Sequence, residues 1–248
     1  MISLSAPAKL TLSLRITGIR PDGFHLIDAE MVTLELADEL SVDESQSLGI
    51  ATNGRFAQDI ADATAQDNLV LRALKLVNRQ AHVTITKNIP SGGGLGGGSA
   101  DAAAILRWAG FTNLVGAAKL GADVAFCLVG GRARVSGIGE VVHPLKKIER
   151  KITLVVPPFR VATPAVYRAF DELTDFCKVS LKHNGVNDLE PAAIKVEPRL
   201  AEWKQKIAKV TGVEPSLAGS GSTWWLDGEF NDLASQISGA TVIITRTI

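Results

Sequence analysis

Apolar and polar residues alternate along the first part of the chain. Between residues 10 and 16 every second position is apolar, and these positions are Leu10, Leu12, Leu14 and Ile16. A period of two predicts a half-buried β-strand, because successive side chains of a strand point to opposite faces. Lys9 and Thr11 then share the polar face of this strand, opposite the leucines.

Three further stretches of the first half have the pattern or composition of strands. They are residues 30–36, 39–42 and 82–87. In the last of these, residues alternate again and Val83 and Ile85 turn inward. Pro21 and Gly23 predict a turn after the first strand, because both residues favour turn conformations.

Helices are predicted where apolar residues recur at helical spacing. The predicted helices are residues 69–76, 99–108, 164–173 and 198–210. Asp67 or Asn68 could cap the first of them. Strand patterns return in the second half of the chain, at residues 132–136, 152–156, 223–226 and 241–245. Strand-rich lobes with interspersed helices indicate an α+β fold.

A charged stretch at residues 146–151 marks the predicted domain boundary. We predict an N-terminal domain over residues 1–148 and a C-terminal domain over residues 149–248. The chain has 248 residues, which suffices for two lobes of about 100–150 residues each.

The composition narrows the classes of function. The sequence has 26 basic and 26 acidic side chains, so no general field attracts nucleic acid or an anionic membrane. No signal peptide and no apolar run of about 18–20 residues is present. Cys127 and Cys177 are too few to indicate a disulfide framework or a metal site. These features favour a cytoplasmic protein, and nothing in the sequence specifies an oligomeric state.

The most informative stretch is a run of glycines between a strand and a helix. Its residues are Pro90, Ser91, Gly92, Gly93, Gly94, Leu95, Gly96, Gly97, Gly98 and Ser99. Glycines allow backbone N–H groups to converge on an anion, and the N-terminus of the following helix adds donors and partial positive charge. The run therefore predicts a phosphate-binding loop. Ser99 is placed to cap that helix or to reach a metal ion on the phosphates.

Other interpretations of the glycine run fit less well. No lysine precedes Ser99, so the run is not a Walker A loop. A dinucleotide fold expects a continuously apolar strand before the loop, whereas the preceding strand alternates. A flexible linker is the plain alternative, but an apolar helix follows the run at once.

With these residues in view, the chain resembles the GHMP kinases, and among them the kinases of diphosphocytidyl-methylerythritol. The shared motifs occur in the family's order along almost the whole chain. They are residues 7–10 (Pro-Ala-Lys-Leu), 22–26 (Asp-Gly-Phe-His-Leu), 90–101, 120–124 (Leu-Gly-Ala-Asp-Val), 137–140, 163–167, 187–190 (Asn-Asp-Leu-Glu) and 219–223 (Gly-Ser-Gly-Ser-Thr). Each motif is weak alone, and the ordered set is specific.

The resemblance implies a fold and an activity. It implies two lobes, the first similar to the ribosomal protein S5 domain 2-like fold and the second an α/β sandwich, with the site between them. It also implies transfer of the γ-phosphoryl group of ATP, with Mg²⁺, to a hydroxyl group of a small-molecule substrate in isoprenoid biosynthesis. No prosthetic group is implied.

The resemblance also assigns roles to particular residues. Asp123 is the catalytic base and Lys9 its partner. By the same resemblance the glycine run and Asn68 would bind ATP, and Ser99, from its place at the end of the run, is the candidate metal ligand. Substrate contacts fall on Thr11, Phe24, His25, Tyr167, Gly219 and Ser220. In the family, the positions of Phe24, His25 and Tyr167 recognise cytosine by stacking and by hydrogen bonds.

Plainer interpretations of these residues stay open. Asp123 could be a helix-cap or turn residue, Lys9 a solvated lysine, and Tyr167 a core residue of its helix. Asn68 is equally explained by helix capping, and the turn at residues 219–223 by an ordinary β-turn.

Three departures from the family pattern bear on the site. Thr11 stands where the family generally has Asn, Ala125 replaces a usual proline, and the connection between Asp101 and Asp123 is short. None of them removes a charge from the expected mechanism.

Two rival functions are kept beside the first. One is a GHMP kinase acting on another alcohol, such as homoserine, mevalonate or a sugar. The other, from a different class, is a non-catalytic binding module, for example for RNA, against which the zero net charge argues.

Overall fold

The protein is described here from a computed structural model that covers residues 1–60, 68–174 and 186–248. Within these residues the strands are β1 (Ile2–Ile19), β2 (His25–Asp43), β3 (Gly49–Asn53), β4 (His82–Thr86), β5 (Arg132–Gly137), β6 (Val141–Pro144), β7 (Lys151–Val156), β8 (Ser216–Leu217), β9 (Trp224–Asp227) and β10 (Thr241–Arg246). The helices are α1 (Leu69–Leu76), α2 (Gly97–Trp108), α3 (Leu114–Leu120), α4 (Val124–Val129), α5 (Thr163–Leu173), α6 (Glu190–Val196), α7 (Arg199–Thr211) and α8 (Leu233–Gln236). None of these helices has the length and apolar character needed to span a bilayer.

The first sheet is organised around β2. This strand pairs with β1 along almost its full length, in antiparallel register from Ile2 opposite Val42 to Ile19 opposite His25. Its C-terminal half also pairs with β4 and its N-terminal half with β5. The sheet order is β3-β4-β2-β5-β6, with β1 on β2 beside this path.

Three strand predictions were too short. The strand predicted at residues 10–16 is part of the 18-residue β1, and the strands predicted at residues 30–36 and 39–42 are one 19-residue strand, β2. The gap between these two predicted strands contains Asp38. Asp38 is fully buried, because it is neutralised within the protein as described below.

Helix α2 covers β1 and places the end of the glycine run against it. Residues 100–106 of this helix are all buried, so the helix is packed against the rest of the protein on nearly all sides. The short connection from Asp101 to Asp123 still holds a further helix, α3, before α4. Ala125 is buried within α4. The shortened connection therefore remains folded.

The second sheet begins at Lys151 and has the order β10-β7-β9-β8, with all neighbours antiparallel. Helices α5 to α8 follow one another in contact, and α8 reaches β10. The two sheets with their helices form the expected two-lobed α+β fold. The boundary between residues 148 and 149 stays a prediction, and it falls in the connection between β6 and β7.

A short segment after residue 185 ties the lobes together. The backbone N–H of Leu14 in β1 donates to the carbonyl of Val186 at 2.9 Å, and that of Asp188 donates to Leu14 at 3.0 Å. Between them, Asn187 is buried and its Nδ2 donates to the carbonyls of Leu217 and Gly219, at 3.0 and 2.6 Å. One side chain therefore satisfies two carbonyls of the second lobe beside β1.

Replacing Asn187 by Ala should lower the free energy of unfolding by about 2–3 kcal/mol. The reason is that the backbone carbonyls of Leu217 and Gly219 would lose their hydrogen-bond donor while they remain buried away from water. Urea denaturation of both proteins measures the difference. Asn231→Ala, an exposed position in the same lobe, is the control and should change stability by less than about 0.5 kcal/mol. A loss at Asn187 as small as the control's would contradict the assigned role.

Candidate active site

The glycine run lies directly against β1. The backbone N–H of Lys9 donates a hydrogen bond to the carbonyl of Leu95 at 3.0 Å. Gly96 has a φ of 70°, and a Cβ on it would lie 2.8 Å from Cγ of Lys9. A side chain there would displace Lys9 and strain the backbone. Gly96 also precedes α2 as its N-cap, so no side chain caps the first N–H groups of that helix.

The turn at residues 219–223 packs on the glycine run from the second lobe. The backbone N–H of Thr223 donates to the carbonyl of Gly93 at 3.3 Å. Gly94, with a φ of 77°, lies so close to this lobe that a Cβ would stand 2.0 Å from the carbonyl oxygen of Ala218. Only glycine fits at this crossing of two backbones. The run is therefore a packed structural element, which excludes a flexible linker.

Lys9 and Asp123 form an ion pair at the end of the glycine run. Nζ of Lys9 lies 3.2 Å from Oδ2 of Asp123 and donates to Oγ1 of Thr11, also at 3.2 Å. The Lys9 side chain is 6% exposed and that of Asp123 31%. Asp123 stands at the N-cap position of α4 but makes no capping hydrogen bond. The structure thus rules out a solvated lysine and a capping aspartate at these two positions.

Asp123 lines a cleft of about 360 Å³ to which both lobes contribute. The cleft brings together the predicted catalytic pair and every predicted substrate-binding residue: Lys9, Asp123, Thr11, Phe24, His25, Tyr167, Gly219 and Ser220. Gly94 of the glycine run also reaches it. The predicted phosphate-binding loop and the candidate proton acceptor consequently meet at one end of a partly apolar cavity.

Aromatic side chains form one part of this cleft. The rings of His25 and Tyr167 are 4.7 Å apart between centroids and inclined by 43°. Burial, followed by the charge of Asp123, raises the pKa of Tyr167 to about 12, so its phenol stays protonated and can donate a hydrogen bond. Phe24 is 57% exposed, which leaves its ring free to pack against a ligand.

Asn68, which was predicted to bind ATP, lies at the start of helix α1. Oδ1 of Asn68 caps α1 by accepting from Val70 and Leu71, at 2.9 and 3.4 Å, so capping accounts for its position. Asp67 and Cys177 lie outside the described residues. Cys127 is a buried free thiol.

The prediction that Ser99 caps the helix is wrong. The helix already begins at Gly97, which makes Ser99 the third residue of α2. Its hydroxyl remains half-buried next to Gly121. Pro90 and Ser91 line a separate cavity with residues of the second lobe, among them Phe159 and Arg160.

Three buried charged residues beneath the glycine run were not predicted. Nζ of Lys87 donates to a carboxylate oxygen of Asp38 and, at 2.7 Å, to Oδ2 of Asp101. Oδ1 of Asp38 accepts from the backbone N–H groups of Asn88 and Ile89, at 2.6 and 2.8 Å. The run is thus anchored at both ends, because Lys87 precedes it and Asp101 follows it in α2.

The same cluster carries an excess of negative charge. Burial, the larger effect, and the neighbouring Asp38 raise the pKa of Asp101 to about 7, although Lys87 opposes them. Burial alone would lower the pKa of Lys87, but the two carboxylates outweigh it and the net shift is upward. Oδ1 of Asp101 is buried without a hydrogen-bond partner among the described residues. One ammonium therefore serves two carboxylates, and Asp101 is the less well satisfied of them.

The fold and this site define a class of enzyme. Residues 68–131 match the family model for the GHMP kinases N terminal domain. Among solved structures, the mevalonate kinase of Methanococcus jannaschii superposes with a TM-score of 0.60 over 100% of this chain and 98% of that one, at 15% identity. That likeness is one of fold. A crystal structure of 4-(cytidine 5'-diphospho)-2C-methyl-D-erythritol kinase is more similar, with a TM-score of 0.76, 28% identity and 99% of both chains covered.

Curated relatives identify the family within this class of enzyme. The 4-diphosphocytidyl-2-C-methyl-D-erythritol kinase of Paracoccus denitrificans is 38% identical over 88% of this chain and 84% of its own length. The kinase of the same name from Cereibacter sphaeroides strain KD131 is 36% identical over 90% of this chain and 88% of its own. The chain belongs to the family of 4-diphosphocytidyl-2-C-methyl-D-erythritol kinases within the GHMP kinases.

Replacing Asp101 by Asn should change how stability depends on pH. Because the pKa of Asp101 is about 7 in the folded state and about 3.9 when unfolded, the folded state binds more protons between these values. The free energy of unfolding of the wild type therefore falls as the pH rises from about 4 to 7. The Asp101→Asn variant has no such decrease, because its amide does not titrate. Urea denaturation at about pH 5 and pH 8 should show the variant gaining on the wild type at the higher pH.

The exposed Asp232→Asn is the control for that experiment, and it should show the same difference from wild type at both pH values. An Asp101→Asn difference that does not change with pH would mean that Asp101 stays ionised throughout.

Proposed function

We propose that this chain transfers the γ-phosphoryl group of ATP to a hydroxyl group of 4-diphosphocytidyl-2-C-methyl-D-erythritol. The observation that carries the proposal is the double engagement of Lys9. Its backbone N–H bonds to Leu95 of the glycine run, and its ammonium group lies 3.2 Å from Asp123 in the cleft. The phosphate loop and the proton acceptor are held at a fixed distance through a single residue. The names of the relatives support the choice of acceptor.

The glycine run and the N-terminus of α2 are suited to the phosphates of ATP. The N–H groups at the start of this 12-residue helix have no side-chain cap, and the helix places partial positive charge there. Mg²⁺ would neutralise charge on the phosphates and would enter with them, since it usually keeps few protein ligands. The hydroxyl of Ser99, half-buried in the first turn of α2, is of the oxygen type that Mg²⁺ prefers.

The cleft residues supply the rest of the reaction. The substrate hydroxyl oxygen attacks the γ-phosphorus while the bond to the leaving oxygen of ADP breaks, and the hydroxyl proton passes to the carboxylate of Asp123. Lys9 orients that carboxylate, and Thr11 orients Lys9 by accepting its hydrogen bond. Thr11 thus has a role in place of the family's Asn, although its shorter side chain reaches less far into the cleft.

The aromatic end of the cleft favours a cytidyl substrate over a small alcohol. Phe24 and Tyr167 offer ring surface for stacking a base, and His25 offers a ring nitrogen. Homoserine or mevalonate would use none of these groups. As an ATP-dependent kinase of a soluble metabolite, the protein would act in the cytoplasm.

Asp123→Asn should lower kcat by about 10²–10⁴, because the amide cannot accept the proton. The affinity for ATP should stay nearly unchanged, since the phosphate loop is intact. Steady-state kinetics and calorimetry of ATP binding measure the two quantities, with Asp232→Asn as a control of wild-type activity. Turnover within about threefold of wild type would show that Asp123 is a structural residue.

Tyr167→Ala should raise KM for the cytidyl substrate by roughly 5–150-fold, the equivalent of about 1–3 kcal/mol of base stacking. KM for ATP should barely move. In the wild type, CDP should compete with the alcohol substrate and not with ATP. If CDP fails to compete and the variant keeps a normal KM, the cytidyl assignment is wrong, whereas the kinase assignment stands on other residues.

A further inference from the structure

A carboxylate from the second lobe bonds to the imidazole that lines the cleft. His25 begins β2 in the first lobe, and Asp171 lies on α5 in the second. Nε2 of His25 is 2.6 Å from Oδ1 of Asp171. The His25 side chain is 10% exposed and that of Asp171 is 44% exposed. No local sequence pattern indicates this pair, because the two residues are 146 positions apart.

Three side chains of helix α5 contact the His25 ring. Tyr167, Phe170 and Asp171 occupy positions i, i+3 and i+4, so they share one face of the helix. The His25 ring lies 4.7 Å from the Tyr167 ring and 6.1 Å, edge-on, from the Phe170 ring. Two aromatic contacts fix the plane of the imidazole, and the carboxylate fixes its rotation within that plane.

The chemistry of the pair determines which ring nitrogen is left for a ligand. An ionised carboxylate only accepts hydrogen bonds, so Nε2 of His25 has to carry a hydrogen. Nδ1 is the other ring nitrogen, and none of the described residues supplies it with a hydrogen-bond partner. Because the ring lines the cleft, a ligand can reach Nδ1. A neutral imidazole in this form presents a lone pair there.

We propose that Asp171 is a positioning residue that holds His25 in the Nε2–H form and thereby makes Nδ1 an acceptor for the exocyclic amino group of cytosine. Uracil has a carbonyl oxygen at that position, and two acceptors would face each other. A site built to bond one group discriminates against an analogue that leaves its own group unpaired. This inference rests on the proposed function for its ligand, but the state of the His25 ring is independent of it.

The ring state is measured by ¹⁵N NMR of the full chain at about pH 8.5. His25→Asn identifies the His25 signals among those of four histidines. We expect hydrogen on Nε2, a free Nδ1, and a shift of the Nδ1 signal when CDP is added. Asp171→Ala should give a mixture of the two tautomers. Hydrogen on Nδ1 in the wild type would overturn the proposal.

Specificity is measured by competition of CDP and UDP against the cytidyl substrate. Asp171→Ala should weaken the binding of CDP by roughly 3- to 10-fold, which corresponds to the loss of one hydrogen bond. It should weaken the binding of UDP less. KM for ATP and kcat should remain within about twofold. Asp171→Asn should restore most of the preference, since its amide oxygen can accept the Nε2 hydrogen. Glu172→Ala removes the neighbouring carboxylate, which pairs with Lys195 instead, and should leave the preference unchanged.

The outcomes separate this inference from the proposed function. If Asp171→Ala weakens CDP and UDP equally, or alters neither binding nor the tautomer, Asp171 only supports the fold and the proposal is wrong. If CDP fails to bind the wild type, the proposed function falls together with the cytosine contact. The spectrum of His25 would then still decide whether Asp171 sets the tautomer.

Discussion

One backbone hydrogen bond, from the N–H of Lys9 to the carbonyl of Leu95, joins the first strand to the glycine run. It exists only because side chains are missing around it. The absent Cβ of Gly96 leaves room for the stem of Lys9, and that of Gly94 leaves room for the carbonyl of Ala218. Three segments far apart in the sequence therefore meet at backbone distance. The position of the Lys9 ammonium is set by this packing and by Thr11 and Asp123, so a long flexible side chain is held in one place.

Neither lobe builds the site alone. The first lobe contributes the ion pair and the glycine run, whereas the turn at residues 219–223 and helix α5 come from the second. Backbone hydrogen bonds join the two halves where Leu14 of β1 meets Val186 and Asp188, and Asn187 ties that segment to Leu217 and Gly219 within the second lobe. The same segment places Asp188 on Arg15 of β1, at 2.8 Å. The lobes thus meet along the strand that carries Lys9, and the cleft lies where they meet.

Much of the fold and most of the site followed from the sequence, for physical reasons that can be named. Alternation identified β1 and β4, and glycine chemistry identified the loop. The pairing of Lys9 with Asp123 needed the family resemblance, because no local pattern reports a contact between residues 114 positions apart. Asp171 was missed for the same reason.

The buried cluster was missed although a signal existed. In the strand predicted at residues 82–87, Val83, Ile85 and Lys87 share one face by the period-two rule, so the pattern itself places Lys87 inward. Asp101 interrupts an alanine-rich run that is buried on both sides. Charged residues are normally assigned to the surface, and the two strands predicted at residues 30–36 and 39–42 leave out the buried Asp38 between them. Inward-facing charges in apolar runs are better treated as partners of one another.

That cluster also constrains how the loop could bind an anion in the proposed function. Nζ of Lys87 lies 3.4 Å from where a Cβ of Gly97 would stand, yet its charge is already balanced by Asp38 and Asp101. Lys9 is likewise paired with Asp123. Neither ammonium brings net positive charge to the phosphates, and the chain as a whole has none to offer. In the proposed function the attraction would come from backbone N–H groups, from the N-terminus of α2 and from a metal ion that would arrive with the nucleotide. The glycine conformations that aim those N–H groups would then be the recognition element itself, and the buried charges would act by keeping the loop in that shape.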